Sequence, residues 1–298
     1  MKLKWFVSLM PLLAGFMVDI LLSYGINNLP VIVAKADIGV LALLLGLVLS
    51  VVAGVWISVV DRLDQQRRQV ISQAADERRR FLRRLDHELK NPLTAIRAGL
   101  ANISEAPSQD SRQEALSSVE AQALRLSRLS ADLRKLAELE TRAVERSPVD
   151  IGALLQEAFT LAQDQEDAAD RHLTLTIPQA PWPLPKIPGD PDLLLLAMHN
   201  LLDNALKFTR PGDTVEVRAF EDGSTVAIEV ADTGPGIPPE DLPHVWEELF
   251  RGQGARGVPG SGLGLALVRA IAERHSGQVN LRSRAGQGTV FTLKLPAV

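Results

Sequence analysis

Two long apolar runs, residues 5–24 and 38–60, contain almost no charge, and no such run recurs after Asp61. Each is long enough to cross a hydrocarbon core, which takes about 20 helical residues. In lipid a backbone must satisfy its own hydrogen bonds, so both runs are expected to be transmembrane helices. Lys2 and Lys4 precede the first run and Arg62, Arg67 and Arg68 follow the second, whereas the connection between them carries only Lys35 and Asp37. This bias places both ends in the cytoplasm. The first run is long for the apolar core of a signal peptide and has no evident small-residue cleavage site, so it reads as a span. Ala42, Gly46, Ser50, Gly54 and Ser58 recur every four residues, a stripe suited to close helix packing, either within the chain or between two copies. Asp19 falls within the first run, as a functional intramembrane carboxylate or as a headgroup contact.

The 298 residues leave room for about two domains. With a net charge of −4 and 4% aromatic residues, nothing favours a nucleic-acid partner. The absence of cysteine removes disulfides, thiolate metal sites and thiol nucleophiles from consideration. The five histidines are scattered, so a metal held by protein side chains alone is not expected.

From Asp61 to about Ile103 the sequence reads as one nearly continuous helix, with Phe81, Leu85, Leu89, Leu93, Ile96 and Leu100 as its apolar seam. His87 lies off that seam, facing solvent. Asn91 stands one turn later on the same face, Glu88 points partly away, and Pro92 removes an amide, so a bend is expected beside the histidine. Pro107 and Ser108–Ser111 mark a turn. A second helix follows, with Leu116, Val119, Ala123, Leu126, Leu133 and Ala137 near heptad spacing. Two such helices cannot bury both stripes alone, which predicts a homodimer with a four-helix bundle.

Residues 193–208 are apolar almost all round except for Asn200, Asn204 and Lys207, one polar stripe at i, i+4 and i+7. Amide oxygens suit Mg²⁺ that also bridges phosphates, with the lysine adding charge; a plain surface stripe has the same spacing. A strand from Thr225 ends at Asp232, ahead of Gly234 and Gly236. A carboxylate there can accept from an adenine amino group while the glycines let backbone approach the ring, although a tight turn uses the same residues. Gly260, Gly262 and Gly264 lead into a helix over 265–275, whose N-terminal amides suit a triphosphate. The loop is neither a Walker A motif nor a dinucleotide fingerprint. Between Trp246 and Pro259 the chain is rich in Gly and Arg, reading as a mobile lid with Arg251 and Arg256 available to phosphates or simply solvated. Strands near 278–282 and 289–295 complete a mixed sheet with helices on one face.

From Phe81 to Pro296 the chain resembles the bacterial sensor histidine kinases of two-component signalling. DHELKNPLTAIR resembles the phosphoacceptor motif, NLLDNALKFT the asparagine motif, DTGPGIP the adenine-side glycine motif, WEELFRG the phenylalanine-bearing lid motif and GSGLGLALV the second glycine motif. The resemblance implies an α+β protein: two transmembrane helices (residues 1–60), a signalling helix and dimerising hairpin (61–145), and a C-terminal α/β sandwich of the Bergerat ATP-binding type (146–298). It implies that His87 takes the γ-phosphate of ATP on an imidazole nitrogen, with Glu88 orienting or deprotonating the ring. Asn204, helped by Asn200, would hold Mg²⁺, Lys207 would contact phosphate and Asp232 would read adenine. Gly234, Gly236, Phe250, Arg251, Gly260, Gly262, Leu263 and Gly264 would shape the pocket. The phosphate then passes to an aspartate of a separate response regulator, and Asn91 fits the pattern for aligning the water that removes it again. Such a kinase would sit in the bacterial inner membrane, among lipid. Asp86 departs from the serine common before the histidine and adds negative charge near an incoming phosphate. Roughly 26 residues, about 40 Å of helix, separate the second span from His87, too short for an added sensor domain. The stimulus is therefore expected at the membrane, through the spans or a partner membrane protein. A membrane-tethered ATPase clamp of the gyrase and chaperone type is the rival reading.

Overall fold

The computed structural model describes residues 11, 13–17, 20, 32–105, 108–141, 145–179, 182–255 and 257–297. They belong to two compact units that divide between Arg80 and Phe81. Most of the first expected span, Asp19, Pro107 and Arg256 lie outside the described residues; residues 13–17 are helical.

In the first unit, helix α1 (Ile32–Glu105, continuing into the second unit) contains an 18-residue stretch of mean hydropathy 2.6, long and apolar enough to cross a membrane. Its large apolar side chains, including Leu44, Leu45, Val48, Val52, Val55 and Trp56, are exposed. A helix apolar on all sides needs an apolar solvent to be stable in this form. Along the small-residue stripe, the Ser58 hydroxyl donates back to the Gly54 carbonyl at 2.8 Å, satisfying a polar group within the helix. The helix begins before the expected run and passes Asp61 without interruption, because no Gly or Pro stands between Gly54 and Pro92.

In the second unit, α1 continues through Pro92 and ends at Glu105. It packs against α2 (Gln109–Thr141) as an antiparallel hairpin. At Gly99 the helices approach so closely that a β-carbon would lie 2.5 Å from Val119 Cγ2 and 3.6 Å from the Ala115 carbonyl oxygen. Within one chain α2 buries Leu129 and Leu139, half-buries Val119, Leu126 and Leu133 of the expected heptad, and leaves Leu116, Ala123 and Ala137 exposed. The seam of α1 divides as well. Phe81 and Leu85 pack near Leu129, while Leu89, Leu93 and Leu100 remain exposed. An antiparallel pair buries one stripe per helix, and the second stripe needs another partner.

A two-stranded ribbon, β1 (Ser147–Val149) with β3 (Ile187–Gly189), flanks a five-stranded sheet of order β2-β4-β5-β7-β6. Its strands are β2 (His172–Thr176), β4 (Thr214–Asp222), β5 (Thr225–Asp232), β6 (Gln278–Arg284) and β7 (Gly288–Pro296). Only β2 and β4 pair in parallel; the other ladders are antiparallel. Val215 and Val217, Ile228 and Val230, and Leu293 and Leu295 alternate onto one face. There they meet α3 (Ile151–Gln163), α4 (Pro191–Phe208) and α5 (Gly264–Arg274). Asp150 and Asp190 cap α3 and α4, accepting from the amides of Ala153, and of Asp192 and Leu193. Pro191 opens α4 where no amide is needed. The buried His275 ties two helix ends together. Its Nε2 accepts from the Asp190 amide at 3.0 Å, so Nδ1 carries the hydrogen and donates to the Ile271 carbonyl at 2.8 Å. Full burial of Leu201, Leu206 and Leu267 anchors α4 and α5, at about 2 kcal/mol for each side chain.

Candidate active site

The asparagine stripe and the second glycine motif meet where α4 and α5 pack. A β-carbon at Gly264 would stand 2.8 Å from Asn200 Oδ1 and 3.8 Å from Asn204 Nδ2, so a side chain there would push the Asn200 amide out of its place against the start of α5. Asn200 Nδ2 donates to the Leu196 carbonyl at 2.8 Å, which turns the amide oxygen toward Gly264. Lys207, expected to reach phosphate, is paired instead with Asp203 at 2.5 Å, one helical turn back. Both are half-buried, so the lysine's charge stays beside the stripe but is partly offset.

Asp232 lies at the end of β5, half-buried. Burial pushes its carboxyl up to about 6, against the opposing pull of the Gly234 and Thr289 amides, and Asp213 adds to the rise. The Gly234 amide donates to Asp232 Oδ1 at 2.9 Å. A β-carbon on Gly234 would stand 2.8 Å from the Phe208 carbonyl oxygen at the end of α4, which joins this turn to the helix of the asparagines. Gly236 has φ +68°, and a side chain there would strike the Arg284 carbonyl.

These cradles suit a nucleotide: a carboxylate acceptor, glycine backbone close beside it, and amides at the start of α5 next to two asparagines. Among the described residues no group of three or more His, Cys, Asp or Glu could hold a metal. The side-chain amide oxygens of Asn200 and Asn204 leave positions for phosphate and water, a donor set that fits Mg²⁺.

His87 is exposed on α1, with Asn91 exposed on the same face and Pro92 buried. Glu88 is turned toward α2, where Arg125 Nη2 holds its carboxylate at 2.7 Å. Arg125 escaped the sequence reading, yet a hairpin closed symmetrically about Pro107 sets Glu88 opposite Leu126, its neighbour.

The lid segment is fixed to the hairpin at both roots. At its entry, Arg84 pairs with Glu247 at 2.5 Å, donates to the Glu248 carbonyl at 3.1 Å and lies 5.6 Å from the Phe250 ring centre. Burial raises the Glu247 carboxyl, but hydrogen bonds and charge from His244 and Arg84 together hold it below the usual glutamate range. At its exit, Ser261 donates to Asp132 at 2.7 Å. Leu249, in the left-handed region at φ 58°, donates its amide to the Gly262 carbonyl at 3.0 Å. Leu249 and Leu263 are buried against Leu129. Leu263 thus faces the hairpin core. Arg251 donates to the carbonyls of Ala255 and Val258, at 2.7 and 2.5 Å, and so braces the lid from within. Arg84, Ser261 and Glu247 carried no sequence signal beyond their place in or near the motifs, and Asp132 carried none.

Two family models match this chain. The His Kinase A (phospho-acceptor) domain matches residues 77–142, and the histidine kinase-, DNA gyrase B- and HSP90-like ATPase matches residues 189–298. The chain belongs to the two-component sensor histidine kinases. Sensor-like histidine kinase SenX3 of Mycobacterium tuberculosis is 37% identical over 229 residues, covering 74% of this chain and 54% of that protein. Full-length ShkA, solved in complex with AMPPNP, is 30% identical with a TM-score of 0.52, over 72% of this chain and 45% of that one. ThkA in complex with the response regulator TrrA is 20% identical with a TM-score of 0.59, covering 74% of this chain and 61% of that one, a likeness of fold. The chain spans from about a third to about half the length of the curated relatives it matches.

Proposed function

We propose that this chain is a membrane-bound histidine kinase that phosphorylates His87 from ATP and passes the phosphate to an aspartate of a separate response regulator. The observation that carries the reading is an exposed histidine on a hairpin whose two helices hold both roots of a lid beside the glycine and asparagine cradles. Asp232 accepts from the adenine amino group, and the amides at the start of α5 face the phosphates. Mg²⁺, held by Asn204 with help from Asn200, would offset charge on the transferring phosphoryl group. A nitrogen of His87 forms the new bond to the γ-phosphorus as the bond to the bridging oxygen of ADP breaks. Glu88, oriented by Arg125, takes the ring proton. Asn91, one turn away, aligns water for removing phosphate from the regulator.

The exposed Leu89, Leu93 and Leu100 favour a second copy of the hairpin and hence a four-helix bundle. The apolar stretch of α1, with the run at residues 5–24, supports two passes through the inner membrane with both ends cytoplasmic. A short connection between span and His87 supports sensing at the membrane.

The test is incubation with γ-labelled ATP and Mg²⁺, followed by addition of candidate regulators at short times. Acid-labile, alkali-stable label on the protein, absent from His87→Ala and chased onto a regulator, is the expected result. Release of free phosphate with no labelled protein would favour the ATPase clamp. Asn91→Ala should keep the label but slow dephosphorylation of the regulator; equal loss of both would make Asn91 structural.

A further inference from the structure

The tie at the exit root of the lid places an acid against the phosphate side of the cradle. Asp132, half-buried on α2, accepts the Ser261 hydroxyl hydrogen at 2.7 Å. The same Ser261 oxygen accepts from the Leu263 amide at 3.2 Å. Ser261 and Leu263 flank Gly262, whose φ of +73° sets the turn into α5. The hydroxyl of Ser261 is thus engaged by an anion from the hairpin, and its oxygen in turn occupies one amide of the loop that would face a triphosphate.

We propose that Asp132 is an internal competitor of the nucleotide phosphates: a positioning residue that, through Ser261, holds the second glycine loop in a form with low affinity for ATP. The inference rests on the placement of phosphates at Gly260–Gly264 under the proposed function. Two physical effects act in the same direction. The Asp132 carboxylate repels a triphosphate across a half-buried loop, where screening is weaker than in water. Its hydrogen bond also fixes the Ser261 rotamer that occupies the Leu263 amide, and that amide must be released before phosphate can use it. Binding linkage makes the opposition mutual: ATP weakens the hold of α2 on the loop by the factor by which that hold weakens ATP. A movement of α2 that withdraws Asp132 would therefore raise nucleotide affinity without touching the adenine side, giving the hairpin a direct control on the ATP site.

The test uses the full chain in lipid nanodiscs, with Asp132→Asn, which keeps an acceptor but removes the charge, and Asp132→Ala, which removes both. Dissociation constants for ATP with Mg²⁺ and for adenosine are measured by calorimetry. Both variants should bind ATP tighter, by about five- to tenfold for Asp132→Ala and by less for Asp132→Asn, with adenosine binding unchanged. Unchanged or weaker ATP binding in either variant would overturn the proposal, as would adenosine shifting in step with ATP, the mark of a structural role. A wild-type chain that binds neither ligand would overturn the nucleotide-site reading itself, and the Asp132 inference with it.

Discussion

Arg125 of α2 grips the carboxylate of Glu88, the residue beside His87, at 2.7 Å, so that the second helix of the hairpin sets the orientation of the acid next to the proposed phosphoacceptor. Glu88→Gln should lower the rate of His87 labelling at saturating ATP by about a hundredfold, the usual worth of a positioned base. Arg125→Ala should lower it less, by roughly tenfold, because the base remains but is no longer held. Initial labelling rates read both, and equal ATP affinity in the two variants separates this effect from the nucleotide site.

Under the proposed function, Asp232 makes ATP binding depend on pH. Burial raises its folded carboxyl from the ordinary aspartate range to about 6, so the native state holds a proton through that window while the unfolded chain has lost it. This group's contribution to stability therefore falls as pH rises from about 4 to 6 and is level above. Adenine recognition runs the opposite way, because the amino group needs the ionised acceptor. Affinity for ATP, measured by fluorescence titration, should fall as pH drops from 7 to 5, and Asp232→Asn should bind weakly with a flatter profile.

Gly264→Ala inserts a methyl group against Asn200 Oδ1 and should weaken Mg²⁺-dependent ATP binding about tenfold or more, leaving thermal unfolding within a few degrees of the parent. The neighbouring atom is a side-chain amide that can turn away, which is why the fold survives. Gly288→Ala differs: with φ +109° and the Asp232 carbonyl in the path of a β-carbon, it should cut the melting temperature markedly.

Leu93→Asp, on the exposed stripe of α1, should convert a dimer to a monomer in sedimentation velocity of the detergent-solubilised chain. Unchanged mass would remove the four-helix bundle from the proposed function.

Strand and helix positions in the C-terminal part were legible because period-2 and period-3.6 patterns are local. β5 ends at Asp232 and α5 begins at Gly264, as alternation and glycine placement imply. The buried positions of α2 were less legible. The heptad of Leu116, Val119, Ala123, Leu126, Leu133 and Ala137 marks a face for a second hairpin, but the C-terminal half of α2 also packs against the lid roots and α5, which buries Leu129 and Leu139. That partner is distant in sequence, so helix periodicity cannot reveal it.

The sequence alone determined the chemical inventory: a histidine off the apolar seam, amides and glycines in order, apolar runs where membrane is expected, and no thiol. Each is a property of residue type and short-range spacing. Only the tertiary structure decided which charges meet. Glu88 with Arg125, Arg84 with Glu247, Lys207 with Asp203 and Ser261 with Asp132 depend on helix rotation and on how the lid roots dock. Apart from the local Lys207 pair these contacts span tens of residues or more, and packing of the whole unit fixes them.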